Sequence, residues 1–434
     1  MSFNNLGLTN ALLTAITEQG YKEPSAIQRE AIPAILAHKD VMAIAQTGTG
    51  KTAGFSLPVL QLLAGQQSSQ AKHIRALIIT PTRELAAQVA TSINNYAAHL
   101  DVSTLAVFGG VRIEPQIAAL ENGVDVLIAT PGRLMDLYQQ GAVSFDQLTL
   151  LVLDEADRML DLGFIDDIKK ISALLPTKRQ TLMFSATFTN QIKALAETML
   201  LNPVLIEVEA ANSTVENITQ MLYHVDKHQK TDVLIHLLKK KKWPQVLVFS
   251  RTKQGAEALV NTLKSAGISA DSIHANRTQH ARTIALAEFK NETVNVLVAT
   301  DIAARGIDIN QLPCVINFDL PYVAEDYVHR IGRTGRAGKK GQAISLFSDD
   351  EVKQLNAIER LINRKFSRDV VAGFVPSRQR AEQMWGSAKD NSPTKSKKSN
   401  KKASKHQFDD DEYGNFEPMP DSSNKKKSNK RKRR

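Results

Sequence analysis

Residues 40–52 read DVMAIAQTGTGKT, and this stretch decides the fold of the first half of the chain. Its apolar run, VMAI, predicts a buried β-strand, and the segment AGFSLPVLQLL that follows from Ala53 predicts a helix. A strand, a glycine-rich turn and a helix together place backbone N–H groups around a phosphate chain. The pattern matches a P-loop with Ala45 in place of the usual first glycine, and it indicates an α/β nucleotide-binding domain.

The polar residues of this turn suggest individual roles. Lys51 is expected to reach the β- and γ-phosphates, and the Thr52 hydroxyl is expected to ligate Mg²⁺. Alanine is nearly as small as glycine, so the turn is retained unless position 45 needs a positive φ. The other residues expected to cradle the nucleotide phosphates are Thr47, Gly48, Thr49 and Gly50.

A second cluster of polar residues, LVLDEADRML at 151–160, places acids where an apolar run stops. Burying unpaired carboxylates is costly, so a cation or a reaction is expected there. Asp154 can hold Mg²⁺, directly or through water, and Glu155 can position and deprotonate an attacking water. The alternative is an ordinary helix N-terminus, where acidic residues are favoured. Together with the P-loop, the acids favour a nucleotide hydrolase over a passive binder.

The second half of the chain offers the cations that such a site lacks. In HRIGRTGRAG, residues 329–338, Arg333 and Arg336 lie three apart at the predicted start of a helix. Arginines that reach across a cleft can stabilise the charge that develops during phosphoryl transfer. Taken alone, such a segment is more often a solvated basic turn, but beside a complete ATP site in the first half of the chain the balance reverses.

Apolar strands alternate with helical segments along both halves of the 434-residue chain. Continuous apolar strands between helices indicate parallel sheets covered on both faces, so the predicted fold class is α/β with two tandem domains. The predicted division is a first domain at 1–209, a linker at 210–217, a second domain at 218–370 and a low-complexity, disordered tail at 371–434.

Charge is concentrated at the C-terminus. The formal net charge is +10, and residues 387–434 contribute +8 of it. Such a basic segment favours a polyanion partner, nucleic acid above all, although a solubilising tail is the alternative. Cys314 is the lone cysteine, no Cys/His cluster has metal-ligand spacing, and no apolar run is long enough to span a membrane. A cytoplasmic protein without a structural zinc site is therefore expected.

These motifs resemble the DEAD-box family of ATP-dependent RNA helicases, in helicase superfamily 2. The resemblance covers roughly residues 3–367, includes the tetrad DEAD at 154–157, and implies two RecA-like domains. GYKEPSAIQ, residues 20–28, is similar to the Q motif, which implies that Gln28 reads the adenine edge and Tyr21 packs against the base. Asp308, in ATDIAARGIDI, is implied to contact the nucleotide.

Other family motifs are implied to contact RNA or to couple it to the ATP state. SAT, with Ser185 and Thr187, is implied to carry the coupling. "IHANRTQ" has Ala275 and Asn276 where Gly-Asp is usual, which puts RNA affinity through the second domain in doubt. The residues implied to contact the RNA backbone are Arg83, Gly110, Thr130, Arg133, Arg282 and Thr300.

The resemblance implies an RNA-dependent ATPase that uses ATP and Mg²⁺. Closure of the two domains on single-stranded RNA would open short duplexes locally, by contacts mainly to the backbone. The expected setting is ribosome assembly or RNA turnover, with ribosomal precursor particles or the RNA-degradation machinery as partners. The protein is expected to be a monomer, most like the bacterial RhlE group. The alternatives are a superfamily 2 DNA translocase, a non-catalytic nucleotide-gated RNA clamp and a plain RNA-binding protein tethered by its tail.

Overall fold

A computed structural model describes most of the chain up to residue 377. The predicted linker at 210–217 and nearly all of the predicted tail lie outside the described residues. Both sheets described below belong to one compact unit, residues 1–381. The described residues are 2–46, 48–65, 70–208, 218–304, 309, 311–335 and 341–377.

The first lobe is built on a parallel sheet of seven strands in the order β3-β4-β2-β5-β6-β1-β7. Every residue of its central strands β2, β4, β5 and β6 is buried, because helices cover both faces. The strands are β1 (Val41–Ile44), β2 (Ile74–Ile79), β3 (Thr104–Val107), β4 (Val124–Ala129), β5 (Leu150–Leu153), β6 (Gln180–Ser185) and β7 (Val204–Glu207).

The second lobe repeats this architecture with a parallel sheet in the order β10-β11-β9-β12-β13-β8-β14. Its strands are β8 (Ile218–His224), β9 (Val246–Phe249), β10 (Ala270–Ile273), β11 (Val296–Ala299), β12 (Cys314–Asn317), β13 (Gly341–Phe347) and β14 (Arg368–Asp369). The prediction of two α/β lobes with parallel sheets is therefore confirmed. Packing on this lobe continues past β14, where Val371 joins the core and Ser377 N donates to Asp226 Oδ2 (3.0 Å).

Helices pack on both faces of each sheet. Those of the first lobe are α1 (Asn10–Glu18), α2 (Ala26–Leu36), α3 (Lys51–Leu63), α4 (Arg83–Tyr96), α5 (Glu114–Leu120), α6 (Pro131–Gln139), α7 (Ala156–Asp161), α8 (Ile165–Leu174) and α9 (Asn190–Met199). Those of the second are α10 (Lys230–Lys241), α11 (Lys253–Ser265), α12 (Gln279–Lys290), α13 (Asp301–Ala304), α14 (Ala324–Ile331) and α15 (Val352–Leu361). Short 3-10 helices span Phe3–Leu6, Lys227–Gln229 and Asp349–Glu351. No helix in the described part of the chain is both long and apolar enough to cross a bilayer.

Strand order explains where the functional residues meet. Strands β5, β6 and β1 are neighbours in the first sheet, and all run parallel. The acidic tetrad follows β5, the SAT segment follows β6 and the P-loop follows β1. Because parallel strands present their carboxyl ends at one edge, these three segments converge there, the usual ligand position in open α/β sheets.

Candidate active site

The P-loop has the predicted strand, turn and helix. Gly48 and Gly50 have φ values of 87° and 93°, which only glycine adopts readily. Thr49 closes the turn, since its hydroxyl donates to Gln46 O at 2.8 Å. Ala45 is buried, its N–H donates to Ser185 O (3.0 Å), and its φ is not positive. Alanine at this position is therefore compatible with the turn, whereas Thr47 lies outside the described residues.

The Gln28 side chain is hydrogen-bonded to the P-loop. It is 2% exposed, Oε1 accepts from Ser25 N (2.9 Å), and Nε2 donates to Gly50 O (3.1 Å). A Cβ at position 50 would lie 2.4 Å from Gln28 Nε2, so glycine is also required by this contact. The amide thus links the start of α2 to the phosphate turn, and its implied contact with adenine stays a prediction.

Tyr21, the other implied base contact, lies at the surface. Its ring is 38% exposed and packs edge-on against Phe3 and Tyr96, with centroids 6.2 Å apart in both pairs. The Tyr21 and Tyr96 hydroxyls are hydrogen-bonded at 2.8 Å. An accessible aromatic face of this kind is chemically suited to a purine, and the implied contact of Tyr21 with the base stays a prediction.

The buried ends of β5 and α3 bring a cation and two acids together. Lys51 and Asp154 are almost fully buried, and neither Lys51 Nζ nor Asp154 Oδ1 has a hydrogen-bond partner among the described residues. Burial raises the pKa of Asp154 to about 7, against the opposing effect of Lys51. Burial likewise raises the pKa of Glu155, which Lys51 lowers and Asp157 raises. These unsatisfied groups make the site a polar pocket suited to a charged ligand.

The donor set fits a magnesium ion bound together with nucleotide phosphates. Thr52 lies in the first turn of α3, and Asp154 contributes a buried carboxylate oxygen without a protein partner. Among the described residues, no group of three or more His, Cys, Asp or Glu side chains could hold a metal on its own. A magnesium ion commonly takes one or two protein ligands and the rest from phosphates and water, which this pair would allow.

The third acid of the tetrad connects the ATP site to the SAT segment. Asp157 Oδ2 accepts from Ala186 N (3.1 Å), and Asp157 Oδ1 accepts from Arg158 N (3.0 Å). Within SAT, Ser185 Oγ donates to Thr187 O at 2.9 Å. The segments after β5 and β6 are therefore bonded directly, a physical basis for the implied coupling by Ser185 and Thr187.

The arginine segment of the second lobe differs from its prediction. Arg333 follows the C-terminal end of α14, so the expected helix start at this segment is wrong. The reason is that α14 ends at Ile331 and a turn at Gly332 follows. Arg330 is structural: it bonds to Asp301 Oδ2 (Nη2, 2.7 Å) and Asn317 Oδ1 (Nη1, 3.0 Å). Arg336 and Asp308 lie outside the described residues.

Arg333 faces the first lobe. It is buried, and its charge lowers the pKa of Glu155. A narrow cavity between the lobes is lined by Glu155, Asp157, Arg158, Asp161, Ala186, His329 and Arg333. Burial lowers the pKa of His329 to about 4, so its imidazole is neutral at physiological pH. Arg333 therefore lies beside Glu155. Arg333 is the cation predicted to complete the ATP site from the second lobe, and Glu155 is the predicted general base.

A groove between the lobes is lined by four of the six residues implied to contact RNA: Arg83, Thr130, Arg133 and Arg282. The Arg83 guanidinium packs on Gly110, where an added Cβ would lie 1.9 Å from its Nη1. Arg133 Nη2 donates to Val111 O at 3.0 Å. Thr130 precedes α6, and Thr300 precedes α13 in the second lobe. The residues lining the groove include Arg83, Gly109, Thr130, Gly132, Arg133, Ala275 and Arg282.

Sequence reasoning overlooked the bond that closes this groove. Glu84 Oε1 accepts a hydrogen bond from Gln279 Nε2 (3.0 Å) and forms an ion pair with Arg282 Nη2 (2.9 Å), and so joins the lobes. Both residues of the ion pair are mostly buried. Glu84 lies in the segment PTRELA, residues 81–86, next to Arg83, and Gln279 lies in QHAR, residues 279–282, with Arg282. Their position beside two arginines implied to contact RNA is the sequence signal for them. His329, the first residue of HRIGR, was overlooked in the same way.

The unusual residues of IHANRTQ have distinct environments. Ala275 lines the groove, whereas Asn276 accepts a hydrogen bond from Lys253 Nζ at its Oδ1 (2.9 Å). The doubt about RNA affinity at this segment stays a prediction.

The fold and the site define a two-lobed nucleotide hydrolase whose lobes also share a basic groove. Family models match both lobes: DEAD/DEAH box helicase at residues 25–195 and helicase conserved C-terminal domain at residues 229–338. The chain is 42% identical over 367 residues to the DEAD-box ATP-dependent RNA helicase CshA of Geobacillus kaustophilus, covering 85% of this chain and 78% of that protein. It is also 42% identical to the helicase RhpA of Helicobacter pylori, covering 83% and 73%.

Solved structures agree with this assignment. Saccharomyces cerevisiae Dbp5 bound to RNA and ADP BeF3 superposes with a TM-score of 0.75 at 31% identity, covering 89% of this chain and 99% of that one. A DEAD box protein of Methanococcus jannaschii gives a TM-score of 0.51 at 38% identity, covering 85% and 99%. The chain belongs to the DEAD-box family of ATP-dependent RNA helicases. It has the tandem RecA-like fold of that family and is an RNA-dependent ATPase; the narrower RhlE resemblance stays a prediction.

Proposed function

We propose that this helicase opens short RNA duplexes locally by closing its two lobes around one RNA strand. The observation that carries the proposal is that Arg333 of the second lobe lines one cavity with Glu155 of the first lobe, next to the buried Lys51 and Asp154. Because these groups come from both lobes, the ATP site is complete only when the lobes are together.

In the proposed reaction, Lys51 binds the β- and γ-phosphates and the backbone of the P-loop holds the chain in place. Glu155 orients the attacking water and accepts its proton, for which its raised pKa is suited. Arg333, and Arg336 by family resemblance, stabilises charge on the γ-phosphate oxygens. Magnesium, held by Thr52 and Asp154 and by the phosphates, would neutralise the charge of the triphosphate. Asp157 couples the nucleotide state of the ATP site to the SAT segment through its hydrogen bond with Ala186 N.

RNA is proposed to bind in the groove through its sugar-phosphate backbone. Arg83, Arg133 and Arg282 supply guanidinium groups, which suit phosphate oxygens, and Gly110 permits close approach of the chain. Phosphate contacts carry no sequence information, so the proposed enzyme acts on many RNAs. Thr130 and Thr300 would add hydroxyl contacts on opposite sides of the interlobe boundary.

The cellular role that we propose is ribosome assembly or RNA turnover, with precursor particles or degradation machinery as partners. The enzyme is proposed to work in the cytoplasm as a monomer. The basic C-terminal segment, with +8 of the net charge of +10, would add sequence-independent attraction to RNA.

The test is ATP turnover with single-stranded RNA, duplex RNA, duplex DNA and no nucleic acid. Single-stranded RNA should stimulate turnover strongly, and a short labelled duplex should separate only when ATP is present. Lys51→Ala should abolish both ATP binding and strand separation. Stimulation by duplex DNA and not by RNA would instead identify a DNA translocase. Strand separation by the Lys51→Ala variant at the parent rate would contradict the proposed mechanism.

A further inference from the structure

The second lobe has a polar hollow at the end of α15, away from the groove proposed for RNA. It has a volume of about 460 Å³ and is lined by Asn356, Glu359, Arg360, Asn363, Arg364 and Lys365. Helix α15 packs on β8, next to the edge strand β14, because Leu355 and Ile358 share an apolar cluster with Leu222. At the other edge of this sheet, Ala275 and Ile302 line the groove just after β10 and β11. The hollow is therefore a separate surface, and it shares no lining residue with the groove.

Three cations line this hollow without an acidic partner. Arg360, Arg364 and Lys365 are exposed, and none of them forms an ion pair with a side chain in the ranges that the structure describes. Elsewhere in the same lobe an exposed cation does have an acidic partner, since Lys227 Nζ lies 2.8 Å from Asp350 Oδ2. The dipole of α15 favours a cation in its last turn, which accounts for Arg360 but not for the two residues beyond the helix. The positive charge of the hollow therefore favours an anionic ligand.

The turn after α15 holds these cations in place. Arg364 N donates to Glu359 O (3.1 Å), and Asn363 has a left-handed φ of 49° just beyond the helix. Phe366 packs on the apolar cluster, and its N–H donates to Glu359 Oε1 at 3.0 Å. Glu359, the acid among the lining residues, is thus hydrogen-bonded to the backbone, whereas Asn356 and Asn363 add amide donors. The hollow therefore combines positive charge with hydrogen-bond donors on a fixed backbone.

We infer that this hollow binds the phosphate groups of RNA flanking the strand in the groove, and so keeps the enzyme on its substrate when the groove releases that strand. The inference rests on the proposed action on RNA. Guanidinium forks match the oxygens of a phosphate, and amide groups can donate to the same oxygens. Two attachment points on one polyanion raise the effective concentration of the second once the first is bound. An RNA long enough to reach both surfaces should therefore bind more tightly than one that occupies only the groove.

The test measures equilibrium binding of the full-length protein to two single-stranded RNAs, with ADP and beryllium fluoride present. The short RNA has about ten nucleotides, the size of one single-strand site, and the long RNA has about forty. The triple variant Arg360→Ser, Arg364→Ser, Lys365→Ser should bind the long RNA about tenfold more weakly and the short RNA within about twofold of the parent. For the long RNA, the slope of log affinity against log salt concentration should fall by about two, because each single-strand phosphate contributes about 0.7.

The matched control removes the same charge from another helix end of this lobe. The triple variant Lys239→Ser, Lys240→Ser, Lys241→Ser alters three exposed lysines in the last turn of α10, which do not line the hollow. It should bind both RNAs within about twofold of the parent. The thermal unfolding midpoints of both variants should match that of the parent, since all six side chains are exposed.

Three outcomes would overturn the inference. Equal weakening of long-RNA binding by both triple variants would show a general effect of charge. Equal weakening of both RNAs by the variant of the hollow would show that its cations act on the groove. Unchanged binding of the long RNA by that variant would leave an acidic protein surface as the ligand that fits the hollow. In each case binding of the short RNA by the parent would leave the proposed function standing, whereas a parent that bound neither RNA would contradict the proposed function itself.

Discussion

The Glu84 carboxylate forms an ion pair with the Arg282 guanidinium across the interlobe boundary, with Oε1 and Nη2 2.9 Å apart. The same oxygen accepts from Gln279. Because Arg282 also lines the groove, one ion pair joins the two lobes at the surface proposed to bind RNA. The carboxylate therefore orients a cation that RNA phosphates would use.

Replacing Glu84 should weaken the apparent affinity for RNA more than it lowers the maximal rate of ATP hydrolysis. Removal of a charge-assisted hydrogen bond should raise the RNA concentration for half-maximal ATPase activity about fivefold in Glu84→Ala. The maximal rate at saturating RNA should stay near that of the parent, because RNA itself then holds the lobes together. RNA titrations of ATP turnover measure both quantities. Glu18→Ala, which removes an exposed pair with His99, should behave like the parent. A reduced maximal rate with unchanged RNA dependence would contradict this role.

Glu155→Gln should separate binding from hydrolysis. Without a carboxylate to accept the proton of the attacking water, turnover should fall by at least about a hundredfold. The variant should still bind ATP and should release RNA more slowly, since hydrolysis no longer reopens the lobes. Single-turnover hydrolysis and RNA dissociation rates provide the measurement. Glu121→Gln, an exposed change distant from the site, is the control. Parent-like turnover by Glu155→Gln would favour a non-catalytic clamp.

Alanine substitutions at two glycines with positive φ can distinguish the effect of backbone strain from the effect of a steric clash with a neighbouring side chain. Gly50→Ala places a Cβ 2.4 Å from Gln28 Nε2, whereas Gly65→Ala, at φ of 74°, meets nothing within 4 Å. Both substitutions should carry the left-handed backbone penalty of roughly 1–2 kcal/mol. Only Gly50→Ala should also lose measurable ATP affinity, because it displaces the P-loop. Equilibrium ATP binding and thermal unfolding distinguish the two; equal ATP affinity in both variants would show that the Gln28 contact is unimportant.

The buried Asp154 should make stability depend on pH when no nucleotide is bound. Its pKa rises from 3.8 to about 7 in the folded chain, so the folded state holds a proton that the unfolded state has lost. Stability from this group is therefore full below about pH 4 and falls as pH rises towards about pH 7. Asp154→Asn, which cannot ionise, should escape that loss.

The unfolding midpoint of Asp154→Asn should exceed that of the parent by several degrees at about pH 8, and the gap should shrink towards about pH 4. Thermal unfolding of the two proteins across this range is the measurement. Asp101→Asn, at an exposed position, should show no such trend. A gap that is constant with pH would mean that Asp154 is ionised throughout.

Truncation after Lys389 tests the basic C-terminal segment. Loss of its positive charges should weaken RNA binding and flatten its dependence on salt concentration, because fewer counterions are released. RNA-stimulated ATPase activity should remain largely intact, since the groove arginines belong to the two lobes. RNA affinity of the truncated and full-length proteins, measured at several salt concentrations, tests this prediction. Complete loss of RNA binding would instead indicate a protein tethered only by this segment.

Local sequence was enough for the fold class and for the core of the ATP site. Runs such as LLVL at 150–153 are apolar throughout, which is the pattern of a strand buried on both faces. The P-loop is contiguous, so its strand, turn and helix could be read directly. Strand β10 lacks such a run because Asp271 and Ser272 interrupt its apolar residues. The Ser272 hydroxyl donates to Glu257 of α11 (2.7 Å) and accepts from Arg277 Nη1 (3.1 Å).

Sequence alone specifies the set of chemical groups: a phosphate turn, two catalytic-type acids and arginines in a second domain. Tertiary packing determines which of these groups meet. It assigned Arg330 to Asp301, turned Arg333 towards Glu155 and paired Arg282 with Glu84. The physical reason is that motif residues follow from local chain geometry, whereas an ion pair between residues 84 and 282 depends on how two separately folded sheets pack together.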